Sequence, residues 1–383
     1  MTALHPDVRT AEPGARTDAP LVFTGDAGFA AAELRGTSLA DSTDAAWADR
    51  VVAGLWPGER ALVSLSFAPG GPGVAHRVLP LATERRGSRS TADEAEHAVA
   101  ALPTEDEYAE RVRTALKRLG TGELDKVVLG RCLDVVSRPA LDPDAVVRRL
   151  LATRPGRHVF SLPLGDAPDA PVLLGASPEL LVRRRGALVA STPLAGSVPR
   201  SADDDEDAAR AEALRDSAKD LAEHSYVVEA IVRALEPVCV EVVAPRRPRL
   251  LATDALWHLA TPIRARLAPG RGLSALQLAR LLHPTPAVGG VPTAAALDTI
   301  AELEGTAFED GGRGPLAGAV GHVDADGDGE FAVTIRAGVL DGERLRLFAG
   351  AGIVAGSDPD AEVRETAAKL ATMARAVGLE VAL

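Results

Sequence analysis

The sequence predicts an α+β fold built largely from antiparallel β-sheets. Three observations favour this class: short β-like runs recur along the 383 residues, single amphipathic helices interrupt them, and no regular strand–helix–strand rhythm of a parallel sheet is present. Apolar residues make up 46% of the chain, which is enough for a large core. Aromatic residues are only 3%, so this core must rest on Ala, Val and Leu.

The N-terminal part of the chain is predicted to be the least regular. Residues 1–20 are rich in Pro, Ala and charge, lack the apolar stretch of a signal peptide and read as a disordered leader. β-like runs follow at 61–67 and 77–82. A polar loop at 85–96 marks a boundary near residue 95. We therefore expect a variable part over 21–95 that forms one compact domain with residues 96–383.

The stretch after this boundary predicts a helix followed by an unusual strand. In residues 105–122, Tyr108, Val112, Leu116 and Leu119 form an apolar stripe, and Gly120 is a plausible C-cap. The strand ELDKVVLGR follows at 123–131. It places Lys126 on the same side as Leu124 and Val128. A cation on this half-buried face costs free energy, so Lys126 is expected to have a functional role, unless it belongs to an edge strand and extends its amine into water.

The rest of the chain alternates between β-rich and helical segments. The predicted elements are a β-rich stretch at 157–196, helices at 206–236, 273–282, 292–303 and 360–377, and a hairpin of strands 331–340 and 344–354 joined across Asp-Gly-Glu. No internal repeat is present.

Charge and cysteine content exclude several classes of protein. The net charge of −12 argues against nucleic acids and anionic membranes as main partners, so an anionic substrate would need a local cationic pocket. The two cysteines, Cys132 and Cys239, form no metal-binding or disulfide pattern. No apolar run approaches the roughly 20 residues of a membrane span. A cytoplasmic protein is expected.

Two motifs resemble binding sites but fail on their context. Residues 324–335 begin like a calcium loop, yet the twelfth position, where a bidentate Glu is required, is Ile335. A polar turn between strands is the better interpretation. Residues 350–355, GAGIVA, match a dinucleotide fingerprint, but Pro359 delays the helix that must follow directly. These glycines are better suited to bringing bare backbone N–H groups close to an anion.

Pairs of carboxylates at helical spacing suggest a metal site. Glu362, Glu365 and Lys369 share one face of the last predicted helix, and Asp220 and Glu223 share a face of an earlier one. Each set could be an ordinary solvated face. If the two helices meet, their carboxylates could instead hold one Mg²⁺, which accepts one or two protein carboxylates and fills its shell with water and substrate oxygens.

A series of motifs resembles the chorismate-utilising enzymes, and most closely the isochorismate synthases of the siderophore type. In chain order the motifs are KVVLGR at 126–131, LLGASPELLVRR at 173–184, STPLAGSVPR at 191–200, DLAEH at 220–224, LWHLATPI at 256–263, LLHPTPAVGGVP at 281–292, GHVDADGDGEFAVTIRAGVL at 321–340, LRLFAGAGIV at 345–354 and RETAAKL at 364–370. The match runs from about residue 105 to the C-terminus. The resemblance implies the anthranilate/isochorismate-synthase fold: two large antiparallel sheets in a sandwich, with helices outside.

The same resemblance implies chorismate as the substrate, Mg²⁺ as the cofactor and a set of site residues. Glu223 and Glu365 stand at the metal-ligand positions, with Asp220 and Glu362 acting through waters. Lys369 and the backbone near Gly196 would face the ring carboxylate. The positions expected to bind the rest of the substrate are Arg336 for the enolpyruvyl carboxylate, N–H groups of Gly350, Ala351 and Gly352, and His258 near the ring. Taken alone, His258 would more often be a satisfied core histidine.

The implied chemistry requires an acid and a base. Water must add at C2 of the ring and hydroxide must leave from C4, so a proton is taken at one end and given at the other. Lys126 suits the base if its pKa is lowered, and Glu179 suits the acid if its pKa is raised. Judged on the residues alone, Ser177-Pro178-Glu179 could equally be a helix start with Ser177 as the N-cap.

Three positions favour isochorismate synthase over its relatives. The aminodeoxychorismate type usually carries a nucleophilic lysine where this chain has Ala195, so water rather than ammonia is the expected nucleophile and no glutaminase subunit is expected. Salicylate synthases tend to place a hydroxyl residue at the position of Ala287. Ala287-Val288 matches the synthases better, although Val288 replaces the more usual leucine and keeps salicylate synthase as the alternative. An inactive metal-binding relative is a further possibility, and a monomer is expected because relatives of this class are commonly monomers.

Overall fold

The computed structural model of the chain describes residues 19–25, 28–40, 44, 46–81, 96–154, 157–253, 255–305 and 312–380. The helices in these residues are α1 (Trp47–Ala53), α2 (Glu105–Thr121), α3 (Pro143–Thr153), α4 (Asp204–Asp216), α5 (Ala218–Leu235), α6 (Ala275–Leu282), α7 (Thr293–Glu304) and α8 (Pro359–Ala376). The first ten strands are β1 (Val22–Phe23), β2 (Ala32–Ala40), β3 (Arg60–Leu65), β4 (Gly73–Pro80), β5 (Glu96–Leu102), β6 (Lys126–Arg138), β7 (His158–Pro163), β8 (Val172–Ser177), β9 (Leu180–Arg185) and β10 (Leu188–Thr192). The others are β11 (Leu194–Pro199), β12 (Cys239–Val243), β13 (Arg249–Ala252), β14 (Leu256–Ala260), β15 (Ile263–Leu267), β16 (Gly290–Val291), β17 (Ala319–Asp324), β18 (Gly329–Val333), β19 (Ala337–Asp341) and β20 (Arg344–Val354).

The strands form two large antiparallel sheets and one small one. The first sheet has the order β1-β7-β8-β19-β20-β6-β16, with β5 also paired to β6. The second has the order β12-β15-β10-β9-β18-β17-β3-β4-β2, and β11, β14 and β13 form the small sheet. Every strand pairing between these elements is antiparallel, so the predicted α+β class is confirmed.

The hydrophobic core occupies the space between the large sheets. Leu62 and Phe331 of the second sheet belong to one buried cluster with Val127 and Phe160 of the first. A second cluster joins the outer face of the first sheet to α3 and α8, with Leu370 fully buried. The expected sandwich with helices outside is therefore present, and its core is mostly aliphatic as the composition predicts.

The segments on either side of residue 95 share sheets. β3 pairs with β17, and β1 pairs with β7. The predicted leader lies outside the described residues as far as residue 18, while Ala19 and Pro20 are buried. Most of the predicted loop at 85–96 also lies outside the described residues. None of the described helices is long and apolar enough to cross a membrane.

Two predicted elements are each divided in the structure. The helix predicted at 206–236 is α4 followed by α5, because the hydroxyl of Ser217 accepts a hydrogen bond from the N–H of Asp220 and caps a new helix. The strand predicted at 331–340 is also two strands. β18 and β19 belong to different large sheets, and the chain passes between them at Arg336. The hairpin of β19 and β20 was correctly predicted only from residue 337.

Other local predictions agree closely with the structure. Helix α2 has the predicted amphipathic character, although its C-cap is Gly122, with φ of 79°, rather than Gly120. Residues 324–328 form a turn between β17 and β18, in which the N–H of Asp326 donates to the carboxylate of Asp324. GAGIVA begins inside β20 and does not open into a helix. Neither motif therefore has the local structure of the binding site that it resembles.

Candidate active site

A cleft opens where β6, β11 and β20 approach α5 and α8. The cleft and the solvent space at its mouth together have a volume of about 680 Å³. Most of the predicted site residues line it: Glu179, Gly196, Glu223, His258, Ala287, Val288, Arg336, Gly350, Gly352, Glu365 and Lys369. The structure thus brings together residues that lie almost 200 positions apart in the sequence.

Lys126 lies behind the cleft wall and reaches it through a carboxylate. Its Nζ is 3.0 Å from Oε1 of Glu223, and its side chain is 0% exposed. Because β6 is paired with β20 on one side and with β16 on the other at this residue, the edge-strand alternative is wrong. The amine has no hydrogen-bond partner in good geometry among the described residues, so the carboxylate holds it by charge.

The bare backbone of Gly352 makes room for this ion pair. A Cβ on Gly352 would overlap Oε1 of Glu223 and would lie 3.0 Å from Cε of Lys126. Since Gly352 pairs with Val128 across the sheet, the glycine stands beside the lysine on the neighbouring strand. The glycine therefore has a steric role in addition to its place in the cleft.

Glu179 has the properties expected of a proton donor. It lies between β8 and β9 with 2% of its surface exposed. Burial raises its pKa to about 7, although the N–H of Leu194, 3.3 Å from Oε1, and the charges of Lys126 and Arg336 act in the opposite direction. No helix begins here, so the helix-start interpretation of Ser177 is wrong. That hydroxyl instead accepts from the N–H of Glu179 at 3.2 Å.

Arg336 occupies a strained backbone position at the crossing between the sheets. Its φ is 53°, and Ala317, which also lines the cleft, has φ of 60°. The N–H of Ala176 donates to the carbonyl of Arg336 at 3.1 Å and fixes this conformation. Burial lowers the pKa of Arg336 to about 10, partly opposed by Glu365 and Glu179, so the guanidinium remains a cation at neutral pH.

The backbone of β20 offers N–H groups at alternate residues only. The N–H of Gly130 donates to Glu304, so Gly130 and Gly350 face each other without exchanging hydrogen bonds. Gly350 and Gly352 therefore direct their N–H groups away from β6, and the carbonyl of Gly350 accepts from Nζ of Lys369 at 2.8 Å. Ala351 directs its N–H into the sheet and its side chain into the core, which removes it from the predicted donors.

The two carboxylate pairs do meet across α5 and α8. Nζ of Lys219, on α5, lies 3.0 Å from Oε1 of Glu362, on α8. The pKa of Asp220 is raised by burial and by the charges of Glu223 and Glu365. The pKa of Glu362 is raised by burial and by Glu365, with Lys219 opposing. Since Glu362 is only 1% exposed, the solvated-face alternative is wrong.

Two of these carboxylates are placed to hold a cation. Glu223 and Glu365 line the cleft, whereas Asp220 and Glu362 stand behind them. Burial alone would raise the pKa of Glu365, but the ammonium of Lys369 at 2.6 Å holds it below its usual value. Among the described residues, no three His, Cys, Asp or Glu side chains converge as a closed metal site. Glu223 and Glu365 are oxygen donors of the kind that a hard cation such as Mg²⁺ accepts, with water and substrate oxygens completing its shell.

His258 is not a satisfied core histidine. It is 6% exposed and lines the cleft, and its Nε2 has no hydrogen-bond partner in the described structure. Burial and the nearby charges of Arg336 and Lys369 lower its pKa well below the usual value, so the ring is neutral. A neutral ring nitrogen is thus available to a ligand.

Two polar residues of the site escaped the sequence analysis. Lys219 faces the carboxylates of Glu362, Glu223 and Asp220, which together outweigh its burial and raise its pKa. The hydroxyl of Ser197 donates to Oε1 of Glu365 at 3.0 Å. Both are sequence neighbours of predicted residues, Asp220 and Gly196, and this adjacency was the available signal.

Comparison with known proteins supplies independent information. Residues 76–378 match the family described as chorismate binding enzyme. The isochorismate synthase DhbC of Bacillus subtilis is 43% identical over 282 residues, 73% of this chain and 69% of that protein. A Mycobacterium tuberculosis protein assigned as the isochorismate synthase MenF is 46% identical over 290 residues, 73% of this chain and 76% of its own length. A crystal structure from Bacillus anthracis, assigned as 2,3-dihydroxybenzoate-specific isochorismate synthase DhbC, superposes with a TM-score of 0.82 at 35% identity, over 96% of this chain and 98% of the other.

Proposed function

The chain belongs to the chorismate-binding enzyme family, and we propose that it is an isochorismate synthase, an isomerase that converts chorismate to isochorismate. The observation that carries this proposal is that Glu179 lines the cleft while Lys126 lies behind the cleft wall, within 3.0 Å of the cleft carboxylate of Glu223. A buried carboxyl with a pKa of about 7 can donate a proton near neutral pH. The amine of Lys126, 3.0 Å from Oε1 of Glu223, would act as the base once it has given up its own proton.

The cleft suits a substrate with two carboxylates. Arg336 can grip one carboxylate with its planar fork of donors. The N–H groups of Gly350 and Gly352 are available to the same carboxylate, and Lys369 is available to the other one. These cations are local features of an acidic protein, as an anionic substrate requires.

The reaction can be written with this chain's own groups. Lys126 takes a proton from the water that forms the new C–O bond at C2. The ring double bonds shift, the C–O bond at C4 breaks, and Glu179 gives its proton to the departing oxygen so that water leaves. One water enters and one leaves, so the product is an isomer of the substrate. The Lys126 proton is then returned to Glu179 through solvent before the next cycle.

Glu223 and Glu365 would hold Mg²⁺, and the ion would neutralise the ring carboxylate of the substrate. Asp220 and Glu362 would orient the waters around it, as their positions behind the two ligands allow. Lys219 supports the same cluster by balancing the charge of Glu362.

The alternatives are less well supported. Ala287 presents no hydroxyl to the cleft, which argues against the salicylate synthase reaction. Ala195 also lines the cleft and leaves it without the lysine nucleophile of the aminodeoxychorismate type. These two positions favour water as the nucleophile and isochorismate as the final product.

Incubation with chorismate in H₂¹⁸O tests the proposal. Purified protein with Mg²⁺ should give isochorismate carrying one ¹⁸O, identified by chromatography and mass spectrometry. Release of pyruvate would identify a lyase, an ammonia-dependent product would identify an aminating enzyme, and magnesium binding without turnover would identify an inactive relative.

We also propose that the product feeds siderophore synthesis. The support is the match over nearly the whole chain to the structure assigned as 2,3-dihydroxybenzoate-specific, since catechols of this kind bind ferric iron. Deletion of the gene should impair growth under iron limitation, and added 2,3-dihydroxybenzoate should restore it. Restoration by menaquinone alone would assign the protein to that pathway instead.

A further inference from the structure

A buried ion pair lies next to the cleft without facing it. Glu304 ends α7, and Arg313 follows in the described chain before β17. They are 2% and 3% exposed. Nε of Arg313 donates to Oε2 of Glu304 at 2.8 Å, and Nη2 donates to Oε1 at 2.5 Å. Neither residue has a part in the proposed reaction.

The remaining hydrogen bonds of this pair hold backbone groups of the cleft wall. Nη1 of Arg313 donates to the carbonyl of Val288 at 2.8 Å, and Nη2 donates to the carbonyl of Val128 at 2.7 Å. Oε1 of Glu304 accepts from the N–H of Gly130 at 2.6 Å. One guanidinium therefore ties β6 to the segment that carries Ala287 and Val288.

Aromatic side chains sandwich the guanidinium. Its Cζ lies 4.3 Å from the ring centre of Phe67 and 5.2 Å from that of Phe348, which lines the cleft. A Cβ on Gly130 would overlap the ring of Phe348 and would lie 3.3 Å from Oε1 of Glu304. The ring of Phe348 and the backbone of Gly130 are thus too close together to admit a Cβ between them.

The tied segments are those that place the proposed base. Lys126 lies two residues before Val128 on the same strand, and it pairs with Val291 of β16. The N–H of Val128 also donates to the carbonyl of Gly289 at 2.7 Å. Any shift between β6 and residues 287–289 would therefore move the amine of Lys126 relative to a bound ring.

We propose that Glu304 and Arg313 are positioning residues for the isochorismate synthase reaction, which fix Lys126 and the Ala287–Val288 segment relative to each other. This inference rests on the proposed function. Burying an ion pair is expensive, and apolar replacements are often as stable, so such a pair is weak evidence for stability alone. Here Glu304 and Arg313 each also hold backbone groups of the cleft wall by hydrogen bonds. A role in fixing the positions of those groups explains why both charged residues are buried there.

Arg313→Lys and Glu304→Gln test the proposal. Lysine keeps the charge but cannot bridge two carbonyls while pairing with Glu304, and glutamine keeps an acceptor for Gly130 but weakens the grip on Arg313. We expect kcat per folded chain to fall roughly 10- to 100-fold, as small misplacements of catalytic groups do. KM for chorismate should stay close to that of the wild type, because Arg336 and Lys369 lie on other elements. The folded fraction at the assay temperature is taken from thermal melts.

Arg118→Lys is the matched control. Arg118 lies on α2, and its Nη2 is 2.6 Å from Oε2 of Glu302, which lies on α7 like Glu304. This pair is exposed and touches no cleft segment. Its kcat should equal that of the wild type. If both charge variants fail to fold, Phe67→Leu, which keeps both charges and removes one stacked ring, should show a smaller fall in kcat at unchanged KM. Variants with wild-type kcat per folded chain and a lower melting temperature would overturn the proposal.

A crystal structure of Arg313→Lys separates this claim from the proposed function. We expect Nζ of Lys126 to move away from Glu223, to which it is 3.0 Å in the native chain. An unmoved amine would overturn the positioning role, whatever the substrate. A wild-type protein that does not convert chorismate would refute the proposed function and leave the crystallographic result to judge the positioning role.

Discussion

Replacement of Glu179 by glutamine should make the protein more stable at neutral and alkaline pH but not in acid. The carboxyl is buried, and its pKa is raised from 4.5 to about 7 by the loss of hydration. Glutamine has nearly the same shape and no charge to bury. The substitution therefore measures how much free energy the burial of an ionisable group at this position costs the folded protein.

The size and sign of the effect follow from the pKa in the folded and unfolded chain. Because the folded pKa is the higher one, the favourable contribution of Glu179 is fully present below pH 4.5 and is lost as the pH rises through 7. A shift from 4.5 to about 7 corresponds to about 3 kcal/mol. The free energy of unfolding of the wild type minus that of Glu179→Gln should fall by about this amount between pH 4.5 and pH 8.

Urea unfolding at several pH values, in EDTA to exclude metal binding, measures this difference. Glu302→Gln is a control of opposite sign, because Arg118 lowers the pKa of the exposed Glu302 and makes its contribution grow with pH. Activity should fall roughly 10²- to 10⁴-fold in Glu179→Gln, since the amide cannot supply the proton. A stability difference that does not change with pH would refute the assignment of Glu179 as the protonated acid.

Three further substitutions probe the rest of the site. Lys126→Ala should abolish turnover in a chorismate assay while circular dichroism shows an intact fold; a fully active variant would refute the role of the amine. Glu365→Gln should weaken Mg²⁺ binding in calorimetry and reduce the magnesium-dependent activity, and an unchanged dissociation constant would argue against this ligand. Gly352→Ala should destroy activity and lower the melting temperature, because a Cβ would overlap Glu223 and crowd Lys126; wild-type behaviour would contradict the described packing.

The local elements of the fold were largely predictable because their signals are local. The apolar stripe of α2, the turn chemistry at 324–328 and the β-forming residues at 157–196 all lie within short windows. The helix predicted at 206–236 and the strand predicted at 331–340, each of which is divided in the structure, show where local signals fail to predict the fold. Ser217 interrupts a continuous helical pattern with one cap. The chain leaves β18 and enters β19 over residues 334–336 without any Gly or Pro.

Most residues that line the cleft were named from the sequence, but their contacts with one another were not. Helical spacing grouped Asp220 with Glu223, and Glu362 with Glu365, but only the packing of α5 on α8 shows that the pairs meet. Ala351 directs its N–H toward β6, whereas Gly350 and Gly352 direct theirs away from it. The hydrogen bond between Gly130 and Glu304 reveals which residues of the strand point each way. Such long-range contacts leave no periodic trace in the sequence.

A crystal structure of the protein with Mg²⁺ and bound isochorismate tests the central claim most directly. We expect Nζ of Lys126 to lie about 3 Å from the oxygen on C2, and the carboxyl of Glu179 to lie at a similar distance from C4 on the opposite face of the ring. A ring bound with both groups on one face, or out of reach of either, would contradict the proposed acid and base.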